Sequence, residues 1–255
     1  MSTSLKVAIT RPQQQGLALQ QALQEVGISS ICQPLFNYRL NTTESAITEQ
    51  VTKLQPNMVI FISAAAVEYA NQASALSTWL NSNQLIVAVG KTTLTALTAL
   101  GIQAICPDIH NSEGILALAQ FAPEHIKKNY KNILIVRGDG GREFLAEQLR
   151  VSSAHVEYLE SYRREWLALT PQDINLWQQQ NINTIIITSN DLLKRVVELI
   201  DVNDNYWQNT CLWLVISERI AQTAQQLGFK NIVNAHSANN QTIISTLLNM
   251  ESKND

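Results

Sequence analysis

The stretch LIVAVGKTTLTALTALG, residues 85–101, contains a complete strand-turn-helix unit. Its first five residues are apolar and predict a buried strand, because short continuous apolar runs are typical of strands covered on both faces. Gly90 and the hydroxyls that follow it predict a turn into a helix, and Gly101 predicts where that helix ends. A strand that passes through a short polar turn into a helix is the building unit of parallel α/β sheets.

The same stretch raises the question of a nucleotide site, because Gly90-Lys91-Thr92 resembles the end of a phosphate-binding P-loop. That motif needs a glycine five positions before the Gly-Lys pair, and Leu85 occupies this position. The residues between are apolar and predict a strand instead of a loop. No Gly-x-Gly-x-x-Gly follows a strand either, so a nucleotide-dependent enzyme ranks third among the function classes.

Strand-like runs of the same kind recur along the chain. Most of them lead directly into Ser, Thr, Gly or Arg and then into a helical pattern, which ends at a glycine such as Gly27 or Gly228. This repeated order predicts an α/β fold with parallel sheets that are buried on both faces. The runs are KVAIT from Lys6, MVIFIS from Met58, LIVAV from Leu85, NILIV from Asn132, TIIITS from Thr184 and LWLVIS from Leu212.

The pattern is written twice. An offset of 126 residues takes NMVIFIS at Asn57 to NTIIITS at Asn183, and the same offset takes Arg11 to Arg137. An offset of 127 takes Leu100-Gly101 to Leu227-Gly228, and the Tyr-Arg pair at Tyr38 recurs 124 residues later at Tyr162. Unrelated α/β units also resemble one another, but a nearly constant offset across separate motifs favours an internal duplication. The offsets alone leave open which segments pack together.

Composition narrows the function classes. The chain has 255 residues, long enough for two domains, and its net charge of −3 argues against a general nucleic-acid binder. No apolar run approaches a membrane span, and the first residues predict no signal peptide, so we expect a cytoplasmic protein. The three cysteines and four histidines are scattered, with no spacing typical of metal ligands. We therefore expect no metal site.

Hydroxyls, glycines and arginines follow the predicted strands. In open parallel sheets, ligands bind beyond the carboxyl ends of the strands, where helix N-termini direct their N–H groups outward. This lining donates hydrogen bonds and positive charge, and therefore suits a carboxylate or a phosphate. The residues are Thr10-Arg11, Ser63, Gly90 to Thr93, Arg137 to Arg142, Thr188-Ser189 and Ser217 to Arg219.

Each of these groups has a purely structural alternative. The hydroxyls can be N-caps, Arg11 and Arg137 can form salt bridges, and the glycine-rich loop after Arg137 can be a permissive turn. The nearby carboxylates, Asp139 and Glu143, are explained by the helix dipole, which favours acidic residues at helix N-termini. No strong nucleophile or acid/base pair is evident, so the residues taken alone indicate binding more clearly than catalysis.

Taken in order, the motifs resemble the uroporphyrinogen-III synthase family over nearly the whole chain. The resemblance implies two flavodoxin-like domains with an internal duplication, joined by a two-stranded linker. It implies one domain of residues 1–36 with 167–255, another of residues 40–160, and linkers at 37–39 and 161–166. The motifs are Thr10-Arg11-Pro12, FISAAAVE at Phe61, AVGKTTLTALTALG at Ala88, SEGI at Ser112, VRGDGGREFLAEQL at Val136, SYRR at Ser161, ITS at Ile187 and ISERIAQTAQQLGF at Ile216.

The resemblance also implies a reaction. The family substrate is hydroxymethylbilane, a linear tetrapyrrole with eight carboxylates. Ring A loses its hydroxyl as water, the resulting azafulvene attacks the substituted carbon of ring D, and a spiro intermediate recloses with ring D inverted. Because the substrate also cyclises unaided to the type I isomer, the protein mainly has to control conformation. We expect no cofactor, and a monomer that binds neither nucleic acid nor membrane.

Residue roles follow from the same resemblance. Tyr162, in the SYRR motif, matches the family's linker tyrosine and is predicted to donate a hydrogen bond or proton to the departing hydroxyl. The other predicted site residues bind the substrate through hydroxyls, backbone N–H groups or charge: Thr10, Arg11, Ser63, Lys91, Thr93, Arg137, Gly138, Arg142, Ser189 and Ser217. The competing class is a cytoplasmic two-domain binding or regulatory module, which would bind a small anion without forming product.

Overall fold

The computed structural model describes residues 4–254, and its chain forms two compact units. One unit contains the described residues up to Asn37 together with those from Glu165 onward, and the other is Tyr38–Arg164. Each unit is built on a five-stranded sheet with helices packed against it. The α/β class predicted from the sequence is confirmed.

The strands alternate with helices through most of the chain. The strands are β1 (Lys6–Ile9), β2 (Ser29–Cys32), β3 (Phe36–Leu40), β4 (Met58–Phe61), β5 (Leu85–Ala88), β6 (Asn132–Gly138), β7 (His155–Trp166), β8 (Thr184–Ile187), β9 (Leu212–Val215) and β10 (Ile232–Asn234). The helices are α1 (Gln13–Glu25), α2 (Glu44–Leu54), α3 (Ala64–Ala73), α4 (Leu76–Trp79), α5 (Lys91–Ala99), α6 (Ser112–Leu116), α7 (Pro123–Asn129), α8 (Phe144–Val151), α9 (Pro171–Gln179), α10 (Asn190–Val197), α11 (Glu218–Gln226) and α12 (Asn240–Asn254).

The discontinuous unit has the strand order β10-β9-β8-β1-β2, and its neighbouring strands all pair in parallel. Strands β8 and β9 are buried along their whole length, which is why their sequences are apolar without alternation. Part of the core is aromatic: the rings of Trp213 and Phe229 stack with centroids 4.0 Å apart. Helix packing on both faces therefore explains the apolar runs from Thr184 and Leu212.

The continuous unit has the strand order β3-β7-β6-β4-β5. Strands β4, β5, β6 and β7 pair in parallel, and β4 is fully buried. Beyond β5, Ile105 forms one more parallel bridge with Val87, which extends this edge of the sheet. The apolar run at Leu85 is thus a strand, as the sequence indicated when it argued against a P-loop.

The duplication is visible in the sheets. Strands β4 and β8 begin at Met58 and Thr184, 126 residues apart, and α5 and α11 begin at Lys91 and Glu218, 127 residues apart. The order β5-β4-β6-β7 in one sheet corresponds to β9-β8-β1-β2 in the other. The repeated glycines also end their helices alike, because Gly101 and Gly228 have φ angles of 74° and 94°, which favour glycine.

Strands β3 and β7 contain the points where the chain leaves one unit and enters the other. The amide of Asn41 donates to the carbonyl of Ser161, and the amide of Leu167 donates to that of Leu35. Residue numbers rise along one strand as they fall along the other, so the two strands are antiparallel. Strands β3 and β7 are therefore the two chain segments that pass from one unit to the other.

No helix within residues 4–254 is long and apolar enough to cross a membrane.

Candidate functional site

Tyr162 lies on β7 in the continuous unit, with its side chain almost completely buried. Its phenol oxygen is 3.2 Å from the hydroxyl oxygen of Ser63, which follows β4. Two further tyrosines surround the ring: the centroid of Tyr38 is 4.6 Å away and that of Tyr69 is 5.7 Å away. The ring is thereby confined on several sides, and the phenol oxygen is directed to the carboxyl end of the sheet where Ser63 begins α3.

The Ser63 hydroxyl caps α3 by accepting a hydrogen bond from the amide of Ala66 at 3.0 Å. Between Ser63 and Tyr162 either hydroxyl can be the donor. A hydroxyl has one proton, so whichever group donates within the pair, the other keeps its proton for an acceptor outside the pair. The pair can therefore present one O–H donor to a ligand.

Gly138 explains how the ring of Tyr162 comes so close to β6. A Cβ atom at position 138 would lie 2.5 Å from Cε2 of Tyr162 and 2.6 Å from Cζ. The register of β6 and β7 also shifts here, since Arg137 pairs with Glu160 while Gly138 pairs with Tyr162. The local role of Gly138 is thus close packing against the ring, whereas the sequence had indicated it only as part of an anion-binding loop.

Thr93 and Lys91 lie in the first turn of α5, whose N-cap is Gly90. Thr93 is 2% exposed, and its hydroxyl has no hydrogen-bond partner among residues 4–254. Lys91 is exposed. His110, which has no local motif in the sequence, packs on this turn, since a Cβ at position 90 would lie 2.9 Å from the Cβ of His110. The α5 N-terminus therefore has uncommitted donors beside an imidazole.

Arg137 is buried at the end of β6, and its charge is paired. Its Nη1 donates to Oε1 of Glu143 at 2.8 Å, and its guanidinium lies 4.3 Å above the ring of Tyr158. Its Nε lies within hydrogen-bond distance of the carbonyls of Gly138, at 3.2 Å, and Gly140, at 3.1 Å. Of the two alternatives left open by the sequence, the salt bridge is present.

Glu143 and Tyr158 were missed as partners of Arg137. The Tyr158 phenol donates to Oε2 of Glu143 at 2.5 Å. This hydrogen bond, together with that from Arg137, lowers the pKa of Glu143. Burial, reinforced by the adjacent carboxylate, raises the pKa of Tyr158 to about 12. The sequence had explained Glu143 by the helix dipole alone, and nothing in its spacing points to Tyr158, which lies on another strand.

Arg142 is exposed and pairs with Glu113 at 2.7 Å, while its guanidinium lies 4.5 Å from the ring centre of Phe144. The hydrogen bond from Arg142 is the main reason why the pKa of Glu113 is lowered. Arg142 and Arg137 both line a cavity of about 190 Å³, which is completed by Ile62, Val89, Asn111, Ser112, Ile135, Leu145, Ala146 and Tyr158. The two predicted cations are thus brought together, each with a carboxylate partner.

A larger groove, of about 650 Å³, lies at the start of β5, where amides such as Gln84 and Gln103 line it. None of its lining residues is ionisable. A polycarboxylate would find no cation there, so the groove is a poorer candidate than the strand ends.

In the discontinuous unit, Thr10 and Arg11 follow β1 and are both buried. The Thr10 hydroxyl donates to the carbonyl of Ile186 at 2.8 Å, so its proton is used within the sheet. Arg11 donates to Asn240 Oδ1 at 2.9 Å and to the carbonyl of Ala238. Burial lowers the pKa of Arg11 to about 10, and none of its partners among residues 4–254 is a carboxylate. Arg11 is therefore a buried cation held by neutral oxygens.

Ser189 and Ser217 occupy the N-cap positions of α10 and α11. The Ser189 hydroxyl accepts from the amide of Leu192 at 3.2 Å, in the same way as Ser63 does in the other unit. Ser217 makes no capping hydrogen bond with its side chain. Of these two predicted hydroxyls, Ser189 has a structural partner and Ser217 remains available.

Among residues 4–254, no group of three or more His, Cys, Asp or Glu side chains is placed to hold a metal ion. The three cysteines are free thiols, and burial raises the pKa of each of them. Thiolates are the reactive form of cysteine, so a raised pKa disfavours nucleophilic chemistry at these side chains.

Duplicated, mostly parallel α/β units with hydroxyls and cations at their strand ends define a class of two-unit α/β proteins suited to anionic ligands. Over residues 18–245, the chain matches the family model described as Uroporphyrinogen-III synthase HemD. The chain therefore belongs to the uroporphyrinogen-III synthase family, whose enzymes are cyclising lyases that work without a cofactor.

Relatives agree with this family over their full length. The uroporphyrinogen-III synthase of Salmonella typhimurium is 30% identical over 250 residues, which cover 95% of this chain and 100% of the relative. That of Escherichia coli is 28% identical with the same coverage. The resemblance inferred from the ordered motifs is confirmed.

Solved structures agree with the fold. A mutant uroporphyrinogen III synthase from the extremely thermophilic bacterium Thermus thermophilus matches with a TM-score of 0.65 at 11% identity, over 99% of this chain and 100% of that one. Uroporphyrinogen-III synthetase from Helicobacter pylori matches with a TM-score of 0.60 at 15% identity, over 96% and 99% of the two chains. At these identities the likeness concerns the fold alone.

Proposed function

We propose that this protein converts hydroxymethylbilane into uroporphyrinogen III, a step of porphyrin and heme biosynthesis. Membership of the family over nearly the whole chain supports the activity. The observation that carries the mechanism is the Ser63–Tyr162 hydroxyl pair, with its oxygens 3.2 Å apart at the carboxyl end of a parallel sheet. Ligands of such sheets bind at this end.

Tyr162 assists departure of the ring A hydroxyl. Its phenol O–H donates a proton to the leaving oxygen, which departs as water as the bond from the ring A carbon breaks. Loss of the pyrrole N–H proton of ring A then leaves the neutral azafulvene, and this proton restores the phenol. The tyrosines around the ring restrict its rotation, and the phenol oxygen lies 3.2 Å from the Ser63 hydroxyl. The electrophile then attacks ring D to give the spiro intermediate, which fragments and recloses with ring D inverted. Binding in a defined conformation makes this closure faster than the unaided one.

The carboxylates of the substrate bind to donors for which no hydrogen-bond partner is found among residues 4–254. The hydroxyl of Thr93 and the backbone N–H groups after Gly90 are of this kind, since Gly90 provides no side-chain cap. Lys91 is exposed beside them and attracts the polyanion. Ser217 serves in the same way at the start of α11. Arg142 binds a carboxylate only when it leaves Glu113, because the two now form an ion pair.

Arg11, Thr10 and Ser189 contribute less directly to binding of the substrate carboxylates. The Thr10 hydroxyl and the Ser189 hydroxyl are already engaged with backbone atoms, so we assign them to the shape of the strand ends. Arg11 adds positive charge beneath those ends, since its charge has no carboxylate partner among residues 4–254. A buried, unneutralised cation raises the local affinity for anions.

The decisive experiment is an isomer assay. The protein is incubated with freshly generated hydroxymethylbilane, the products are oxidised, and uroporphyrins I and III are separated by chromatography. We expect mainly isomer III. Only isomer I, formed at the rate of the protein-free control by correctly folded protein, would reject the synthase and favour a binding module.

The role of Tyr162 is tested in the same assay with Tyr162→Phe, which removes only the phenol oxygen. We expect turnover and the isomer III fraction to fall. Tyr130→Phe is the matched control, because Tyr130 lies in the same unit at the end of α7, outside the proposed site. If Tyr162→Phe turns over substrate like the control, Tyr162 has no chemical role.

We also infer a cytoplasmic monomer that binds neither nucleic acid nor membrane. The net charge of −3 supports the absence of nucleic-acid and membrane binding, since a negatively charged protein gains little electrostatic attraction from such polyanionic partners. Light scattering at several concentrations tests the monomer, and a mass of twice 28.4 kDa would contradict it.

A further inference from the structure

Arg137 holds the loop that follows β6. Its Nε lies within hydrogen-bond distance of the carbonyls of Gly138 and Gly140, so one guanidinium spans the turn. The side chain of Arg137 is only 3% exposed and cannot exchange these partners freely with water. The loop is therefore attached to a buried, rigid group, although it contains glycines that would otherwise leave it mobile.

The same loop is attached to Tyr162. The backbone of Gly138 lies against the ring of Tyr162, and the amide of Asp139 donates to the carbonyl of Tyr162 at 2.8 Å. The Asp139 carboxylate accepts from the amide of Arg164 at 3.2 Å. A displacement of the loop is thus transmitted both to the ring of Tyr162 and to its backbone.

Glu143 and Tyr158 fix the orientation of the Arg137 guanidinium. One carboxylate oxygen of Glu143 accepts from Arg137 and the other from Tyr158, while the Tyr158 ring lies under the guanidinium. Charge-assisted hydrogen bonds and cation–π contacts of this kind orient a guanidinium strongly. The three side chains form one network, which we name the Arg137 network.

We propose that Glu143 and Tyr158 are positioning residues for Tyr162, acting through Arg137 and the loop at Gly138. This inference rests on the proposed function, in which Tyr162 assists the leaving hydroxyl. The Arg137 network fixes the loop, the loop fixes the ring, and the ring keeps its phenol oxygen beside Ser63.

The distance between the Ser63 and Tyr162 hydroxyl oxygens makes their contact sensitive to the position of the Tyr162 ring. At 3.2 Å it lies beyond the usual range of about 2.5–3.0 Å for O–H···O hydrogen bonds, so a small outward movement of the ring breaks the contact. Displacement of a reacting group by about 1 Å can cost roughly 100-fold in rate.

A different role for Arg137, direct binding of a substrate carboxylate, predicts the opposite response to loss of Glu143. Removing Glu143 would then free the positive charge of Arg137 and lower KM. The positioning role predicts instead that kcat and the isomer III fraction fall while KM stays unchanged.

The experiment compares Glu143→Ala and Tyr158→Phe with the control Glu147→Ala. Glu147 lies one helical turn further along α8, is exposed, and has no side-chain hydrogen bond among residues 4–254. Tyr158→Phe leaves the Arg137–Glu143 ion pair in place, and therefore tests the network even if Glu143→Ala folds poorly. Steady-state kinetics and the isomer ratio are measured for each variant.

A second readout follows Tyr162 without any turnover. Each protein is labelled with 3-fluorotyrosine, and the fluorine resonance of Tyr162 among the six tyrosines is assigned by its absence in Tyr162→Phe. We expect this resonance to move or broaden in Glu143→Ala and Tyr158→Phe but not in Glu147→Ala. A reduction of kcat by up to about 100-fold accompanies it.

The outcomes separate this inference from the proposed function. An unmoved Tyr162 resonance with unchanged kcat, or a lower KM in Glu143→Ala, overturns the positioning role even if isomer III is formed. If the Tyr162 resonance moves but Tyr162→Phe leaves turnover and isomer ratio unchanged, the network positions the ring and Tyr162 has no catalytic role. Absence of isomer III in the parent protein rejects the proposed function, and the resonance still decides whether the network positions the ring.

Discussion

The backbone of Gly138 lies in contact with the ring of Tyr162, so that a methyl group at position 138 would come within 2.5 Å of the ring atom Cε2. Two carbon atoms that are not bonded to each other do not approach this closely, so a Cβ at position 138 would force either the ring or β6 to move. The close approach couples the geometry of the glycine-rich loop to Tyr162, the side chain that donates to the leaving hydroxyl in the proposed function.

Gly138→Ala is therefore expected to displace Tyr162 and to reduce the isomer III fraction, with a loss of about 1–3 kcal/mol in the free energy of unfolding from overpacking. The isomer assay and urea unfolding measure the two effects. Gly27→Ala is the control, because position 27 lies outside this loop and open space surrounds it, although its φ of 81° adds backbone strain of about 1 kcal/mol. An equal isomer ratio in both variants would contradict the prediction.

Ser63→Ala removes both the cap of α3 and the hydroxyl beside Tyr162. We expect a stability loss of about 1 kcal/mol together with a lower isomer III fraction. Ser189→Ala removes the corresponding cap of α10 and serves as the control for stability alone. If Ser63→Ala loses stability like Ser189→Ala but keeps turnover and isomer ratio, the hydroxyl pair is only structural.

Thr93→Val removes the hydroxyl of a residue that is 2% exposed, and no hydrogen bond of this hydroxyl is found among residues 4–254. Because no hydrogen bond is lost, the free energy of unfolding is expected to stay unchanged or to rise slightly. KM is expected to rise about tenfold, since a hydrogen bond to a charged carboxylate contributes about 1.5 kcal/mol. Thr98→Val, whose hydroxyl donates to Leu94 in the same helix, should leave KM unchanged. An unchanged KM in Thr93→Val would exclude Thr93 from substrate binding.

The stability contributed by Glu143 is expected to depend on pH. Hydrogen bonds from Tyr158 and Arg137 lower the pKa of this carboxyl in the folded protein, so the ionised form stabilises the fold above its unfolded pKa. That contribution is lost as pH falls through the folded pKa. The difference in unfolding free energy between the parent protein and Glu143→Gln should thus be full at about pH 7 and shrink towards about pH 3.

Urea unfolding at several pH values measures this difference. Glu147→Gln makes the same chemical change on the same helix without removing a side-chain hydrogen bond among residues 4–254. A Glu143→Gln difference that stays constant with pH, or that matches Glu147→Gln, would show that the carboxylate does not stabilise the folded protein.

The strands with the strongest apolar signal were predictable. Met58–Phe61 and Thr184–Ile187 are continuous apolar runs because helices cover both faces of each sheet, and such burial leaves a direct trace in the sequence. The sequence of strand β7 carries a weaker strand signal. Its residues His155–Trp166 mix charged and apolar side chains and become exposed towards the end, so no apolar run marks its length.

The candidate site was predictable as a set of positions but not as a set of partners. Ser63, Ser189 and Ser217 all follow strands, as the strand-to-helix pattern indicated. The sequence did not show that Arg137 shares Glu143 with Tyr158, because this contact joins a strand end, a helix start and a neighbouring strand. Side-chain pairing across elements has no local sequence signal.

By itself, the sequence determined the α/β class and the internal duplication, because burial on both sheet faces and repeated helix ends follow from local hydrophobicity and backbone preference. The family followed from the resemblance of the ordered motifs. Only the tertiary structure decided which predicted donors are already engaged within the chain, as Arg137 is with Glu143, and which are free, as the Thr93 hydroxyl is among residues 4–254. The physical reason is distance: a hydrogen bond or ion pair depends on separations of a few ångströms between residues far apart in the chain, and spacing along the sequence does not specify them.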